Sequence, residues 1–173
     1  MTGRWWIGAA AAVLVAVAVV AFVAYGSLGR SGTPRQQLTS WVADTGLGQD
    51  LGALHADGQD VEKVLVHQRG ALAMHTVCNV LSVTAEAAHS QLPSPDTEVT
   101  QLLARAYTLE YQAGNDCYDA GVTDKQLLAK SATERAEAAR IIAQATTRIA
   151  AVTGTSVATT TTTSPTAGTG IFG

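Results

Sequence analysis

The sequence predicts an all-α protein: one N-terminal transmembrane helix, a small bundle of about four helices, and a disordered threonine-rich C-terminal tail. Three observations carry this. Residues Ile7 to Tyr25 read IGAAAAVLVAVAVVAFVAY, nineteen positions without a charge, a side-chain amide or a proline. Between residues 34 and 153 apolar side chains recur at +3 and +4, the period of one helix face, and no stretch alternates as a half-buried strand does. From Thr153 onward come nine threonines and no charge, a composition that builds no core.

Nineteen helical residues span roughly 28 Å, close to the hydrocarbon thickness of a bilayer. Trp5 and Trp6 flank one end and Tyr25 the other, where amphipathic rings favour the lipid–water interface. The expected order is a cytoplasmic tail (1–4), an anchor (5–25), a tether (26–33), the bundle (34–153) and the tail (154–173). A cleavable signal peptide is the rival, because Ala24-Tyr25-Gly26 offers a small-x-small site after an n-region holding Arg4. A cleavable apolar region usually runs about 7–15 residues, so the longer run here favours a retained anchor. Arg4 before the span and Arg30 and Arg35 after it leave the positive-inside count near balance. Two cysteines and a tail of secreted type place the body outside the cytoplasmic membrane, in a single-pass topology.

The body's helices follow from their caps and stripes. Thr33, Pro34 and Gln36 form a helix start, and a first helix with Leu38, Trp41 and Val42 stops near Gly46. Leu47, Leu51 and Leu54 make a second short stripe, interrupted at Ala56–Asp60 (ADGQD). From about Val61 a long helix carries Val64, His67, Ala71, Met74, Cys78, Leu81, Ala85, Ala88 and Leu92, ended by Pro93 and Pro95. Ser94 and Pro95 start the next helix, with Val99, Leu102, Ala106, Leu109 and Ala113 as its stripe and Gly114 and Gly121 at its end. Thr123 and Gln126 form a capping box for the last, with Val122 and Leu127 as its hydrophobic staple. That helix buries Ala138, Ile142, Ala145, Ile149 and Val152 and stops at Gly154.

Composition narrows the partners. Beyond Arg35 the chain has eight basic residues against fourteen acidic ones, a balance of −6. Such a surface repels phosphate backbones, so nucleic acid is not an expected partner. The lipid bilayer is one, through residues 5–25. Aromatic residues make up 5% of the chain, and a core rich in Ala and Val makes thin layers between closely approaching helices.

Cys78 and Cys117 are the only cysteines, and an even pair in an oxidising compartment reads as a disulfide. The alternative is two buried thiols acting as small apolar side chains. A geometric ruler constrains the choice. If two straight antiparallel helices turn at Pro93–Ser94, Cys78 lies level with Leu109, and Cys117 is about 12 Å too far along. A disulfide needs Cα atoms within about 7 Å. The bridge is therefore expected together with a break or sharp bend at Gly114–Asp116.

No metal, cofactor or catalytic set is expected. Glu86-x-x-His89 copies half of a carboxylate-bridged di-metal signature, but its second copy is missing, and His55, His67 and His75 read as structural or surface residues. There is no Gly-x-Ser-x-Gly elbow and no phosphate-binding glycine loop. Glu110, between Tyr107 and Tyr111, could line a pocket, although a helix edge with two tyrosines is more often an amphipathic rim. Trp41 is expected to anchor the first helix to the bundle.

The short N-tail, the Ala/Val span, the Cys78…Leu92-Pro93-Ser94-Pro95-Asp96…Cys117 pattern and the Thr-rich end resemble uncharacterised single-span, membrane-anchored helical proteins of actinobacteria. The resemblance implies no particular activity. The expected function is a non-catalytic interaction or accessory module of the cell envelope, with an envelope or membrane protein as partner. The alternative is a sensor or carrier of a small apolar ligand. A secreted helical protein, released by signal cleavage, is a third reading.

Overall fold

The computed structural model describes residues 32–158, which form five helices: α1 (Pro34–Thr45), α2 (Leu47–Val66), α3 (Ala71–His89), α4 (Thr97–Ala120) and α5 (Lys125–Thr153). The expected span with Trp5, Trp6 and Tyr25, the tether up to residue 31, and the tail from 159 onward lie outside the described residues. Among the described residues no helix is long and apolar enough to cross a membrane. α4 packs against both α3 and α5, α2 packs on α3, and the short α1 lies chiefly against α5.

Leu38 and Trp41 carry the buried face of α1, as expected of Trp41, and Gly46 ends the helix in the left-handed conformation at φ 66°. α2 differs from expectation. It runs through Ala56–Asp60 without a break, and its buried stripe is Leu47, Leu51, Leu54, Gly58, Val61 and Val64. One glycine inside a helix costs about 1 kcal/mol relative to alanine, which weakens a helix without ending it. Here Gly58 is a small member of the stripe, and Arg135 Nη1 donates to its carbonyl at 2.8 Å.

The break comes later. Gln68 at φ 50° and Gly70 at φ 84° stop α2 and reset the chain for α3, so the expected single helix from Val61 to Leu92 is two. His67 and Ala71, read as stripe members, are exposed. α3 then buries Met74, Cys78, Leu81, Ser82, Ala85 and Ala88 and ends at His89, before the prolines. Ser94 does not cap α4. Its hydroxyl donates to the Asp96 carbonyl at 2.7 Å, while Asp96 accepts from the Val99 amide at 3.0 Å and is the N-cap. Arg148 of α5 also donates to Asp96, at 3.0 Å.

The disulfide Cys78–Cys117 is present with Cα atoms 5.6 Å apart, but the expected break at Gly114–Asp116 is absent. α4 continues through Gly114 and Cys117 to Ala120. The assumption that fails is the tight turn at Pro93–Ser94. Seven residues, Ser90–Asp96, separate the two helices, and α4 starts well beyond the end of α3. That overhang brings Cys117 back level with Cys78 while both helices stay unbroken.

At Gly114 α4 lies close against α3. A Cβ there would lie 2.8 Å from both the Cβ and the amide nitrogen of Ser82, and 3.0 Å from the Cys78 carbonyl oxygen. Two of these three atoms are backbone and cannot swing aside. Gly114→Ala is expected to lower the unfolding free energy by about 2 kcal/mol through overpacking, read as a lower urea midpoint. An unchanged midpoint would mean that the two helices have room between them.

Asp124, not Thr123, caps α5, accepting from the amides of Gln126 and Leu127 at 3.0 Å each. Ser131, Ala138, Ile141, Ala145, Ile149 and Thr153 are buried, while Ile142 and Val152 are half-buried. Gly154 at φ 72° stops the helix as expected. The chain does not leave the bundle there. Val157 is half-buried against the core and Ala158 touches Gly48, so the packed body reaches beyond Thr153.

Candidate functional site

The seam between α2 and α5 is open, and its cause lies in the sequence of α5. Ala132, Ala136, Ala139 and Ala143 follow at +4, +3 and +4, so the helix turns a face of methyl groups toward α2. Methyls do not fill the space between two helix backbones. Two adjoining cavities result, of about 350 and 340 Å³, sharing Leu54, His55, Glu110 and Ala139. Together they form one groove, walled by α2 and α5 and floored by α4.

Glu110 is the functional group of that floor. It lies on the true buried stripe of α4, which is Val99, Leu103, Ala106/Tyr107, Glu110, Ala113/Gly114 and Cys117. The expected stripe ran through Leu102 and Leu109, which are half-buried, and that shift of one position is why Glu110 read as a rim residue. It is 6% exposed, and its Oε2 has no hydrogen-bond partner. Burial pushes its carboxyl up to about 7, the positive charge of Arg135 pulls it back, and the nearby Asp57 carboxylate adds to the rise.

Arg135 donates from Nη1 to the Gly58 carbonyl at 2.8 Å and from Nη2 to Glu62 at 3.4 Å, while its Nε is buried without a partner. Asp57 Oδ2 is buried without a partner. Burial raises the Asp57 carboxyl, a hydrogen bond with Thr84 opposes this, and Asp60 adds to it. The groove thus combines apolar walls with a carboxyl able to hold or release a proton near neutrality. Among the described residues lining it there is no Ser or Cys to serve as a nucleophile.

Glu86 and His89 line a smaller cavity of about 210 Å³ between α3 and α4, together with Tyr107 and Tyr111. Among the described residues no group of three or more His, Cys, Asp or Glu side chains is placed to hold a metal ion. Met74 is fully buried, its sulfur 3.8 Å from Cys117 Sγ, so the core between α3 and α4 is filled at that level.

Of the expected site residues, Cys78 and Cys117 are the pair that the structure brings together. No family model, curated protein or solved structure matches this chain.

Proposed function

We propose that the bundle is the extracytoplasmic body of a single-span envelope protein and works as a non-catalytic interaction module. One observation carries this: the apolar end formed by the C-terminus of α2, the N-terminus of α3 and the loop before α5. Leu72 is 82% and Val66 76% exposed there, with Leu65 and Val122 around a cavity they share with Val64 and Gly70. Val80 and Val83 extend the exposed apolar surface along α3. Covering a side chain of this size contributes about 1.5–3 kcal/mol, enough to make these residues anchors of a docking surface.

The end lies opposite Pro34. Arg35 reaches Gly154, and Gly48 touches Ala158, whereas α2 and α5 run on antiparallel past Gly58 and Arg135 to the Val66 end. The partner suited to it is a protein with an apolar face, since a body carrying −6 is repelled by anionic headgroups. A photo-crosslinking residue at Val66 or Leu72 of the full chain, in native membranes, is expected to give a discrete protein adduct. A crosslinker at Arg140, on the polar face of α5, is expected to give none. Lipid adducts alone, or no adduct from either apolar site, would remove this reading.

The groove favours a second reading, the sensor or carrier of a small ligand. Its volume falls in the range of small-molecule sites, and its apolar walls beside a few polar groups, Glu110, His55 and Arg135 among them, have their composition.

A further inference from the structure

Glu110 is deeply buried, yet its Oε2 meets no donor, and the buried Nε of neighbouring Arg135 meets no acceptor. Arg135 gives only its two terminal nitrogens to partners, the Gly58 carbonyl and Glu62, and makes no hydrogen bond to Glu110. A buried acceptor without a donor costs about 1–3 kcal/mol, more when charged, so this position favours a ligand that brings one. The charge balance around it chooses the kind. Glu110, Asp57 and Glu62 stand against Arg135, which leaves excess negative charge beside walls of Leu51, Leu54, Ala139 and Ile142. An anion such as a fatty acid would meet that negative charge in a site of low dielectric.

We infer that the α2–α5 groove binds a small amphipathic monocation, an ammonium group on a compact apolar body, with Glu110 as its anionic anchor. The inference rests on the sensor or carrier reading and gives it a ligand class. The ammonium donates to Oε2 and neutralises the excess charge, while the apolar part lies along the alanine face of α5. Since the Glu110 carboxyl is pushed up to about 7, binding must displace a proton below that pH, and affinity rises as pH rises through neutrality. Other titratable or charged groups around the carboxyl are His55, Asp57 and Glu62 on α2, Tyr107 on α4 and Arg135 on α5. The groove-facing share of the pH effect is therefore read as what Glu110→Gln abolishes.

The test uses the full chain in lipid nanodiscs, with methyl resonances of Leu54, Ala139 and Ile142 followed during titration with cyclohexylammonium, cyclohexanol and cyclohexanecarboxylate. Cyclohexylammonium is expected to shift them saturably at pH 8, at least tenfold more tightly than the alcohol, as a charge-assisted hydrogen bond implies. Affinity should fall about thirtyfold at pH 5.5, and Glu110→Gln should lose both the preference for the cation and the pH dependence. The variant's own methyl spectrum reports that it is folded. Equal binding of the alcohol, tighter binding of the carboxylate, or an unchanged cation affinity in Glu110→Gln overturns the inference and leaves an apolar carrier standing. If no probe shifts these methyls, the inference and the carrier reading fall together.

Discussion

Replacing Cys78 and Cys117 together by alanine is expected to lower the unfolding free energy of the body by about 4 kcal/mol on the chain-entropy account. The bridge joins residues 39 apart in sequence, so its loss frees a long loop in the unfolded chain. In the folded state both sulfurs are completely buried, with Met74 against Cys117, so truncation to alanine removes packing as well. Alanine is the better replacement, because serine would leave two buried hydroxyls seeking partners. The measurement is a urea titration of the oxidised chain against the double variant. The difference should be seen as a shift of midpoint, and a difference below about 1 kcal/mol would show that α3 and α4 hold together without their covalent link.

Glu110→Gln acts in the opposite direction. A carboxyl held at about 7 in the folded state, against 4.5 for an ordinary glutamate, binds its proton more tightly when folded. Its stabilising contribution is therefore complete below about pH 4.5 and is lost as pH rises through about 7, beyond which the buried charge is a standing cost. The amide has the same shape and no charge to bury. The variant should match the parent near pH 4 and exceed it at pH 8 by up to about 3 kcal/mol, since each tenfold change in proton affinity corresponds to about 1.36 kcal/mol. Denaturation midpoints of both chains across that range test it. A parallel pair of pH profiles would mean that the Glu110 carboxylate is already satisfied.

The helical class and the buried face of α3 were legible because its apolar residues keep step over many turns. On α5 Ala138, Ala145 and Ile149 were legible too, whereas Ile141 and Thr153 took the places expected of Ile142 and Val152. Several boundaries were not, and glycine explains most of the differences. Gly58 and Gly114 lie on buried stripes, at +4 from Leu54 and Glu110, and there they allow close contact with a neighbouring group or helix. Gly70 and Gly121 have positive φ and mark boundaries, Gly70 as the N-cap of α3 and Gly121 as the C-cap of α4. Local spelling does not separate the two roles; stripe phase does. Both misplaced caps have one cause as well. Asp96 and Asp124 took the position from neighbouring hydroxyls, because a carboxylate is the stronger acceptor for amides at the positive end of a helix. Glu110 was hidden by the one-residue shift in the α4 stripe. Its partner residues on α2 and α5 are set by tertiary packing, which no spacing within α4 reveals.

Arg35 lies beside Gly154 and Ala158 against Gly48, so the chain enters and leaves the bundle at the same end. Tension between the two flanking segments would pull on neighbouring points. It would peel α1 and the Val157 segment away one contact at a time, a geometry that resists little force. α3 and α4, with the disulfide between them, would lie outside the load path and stay folded while the outer contacts yield.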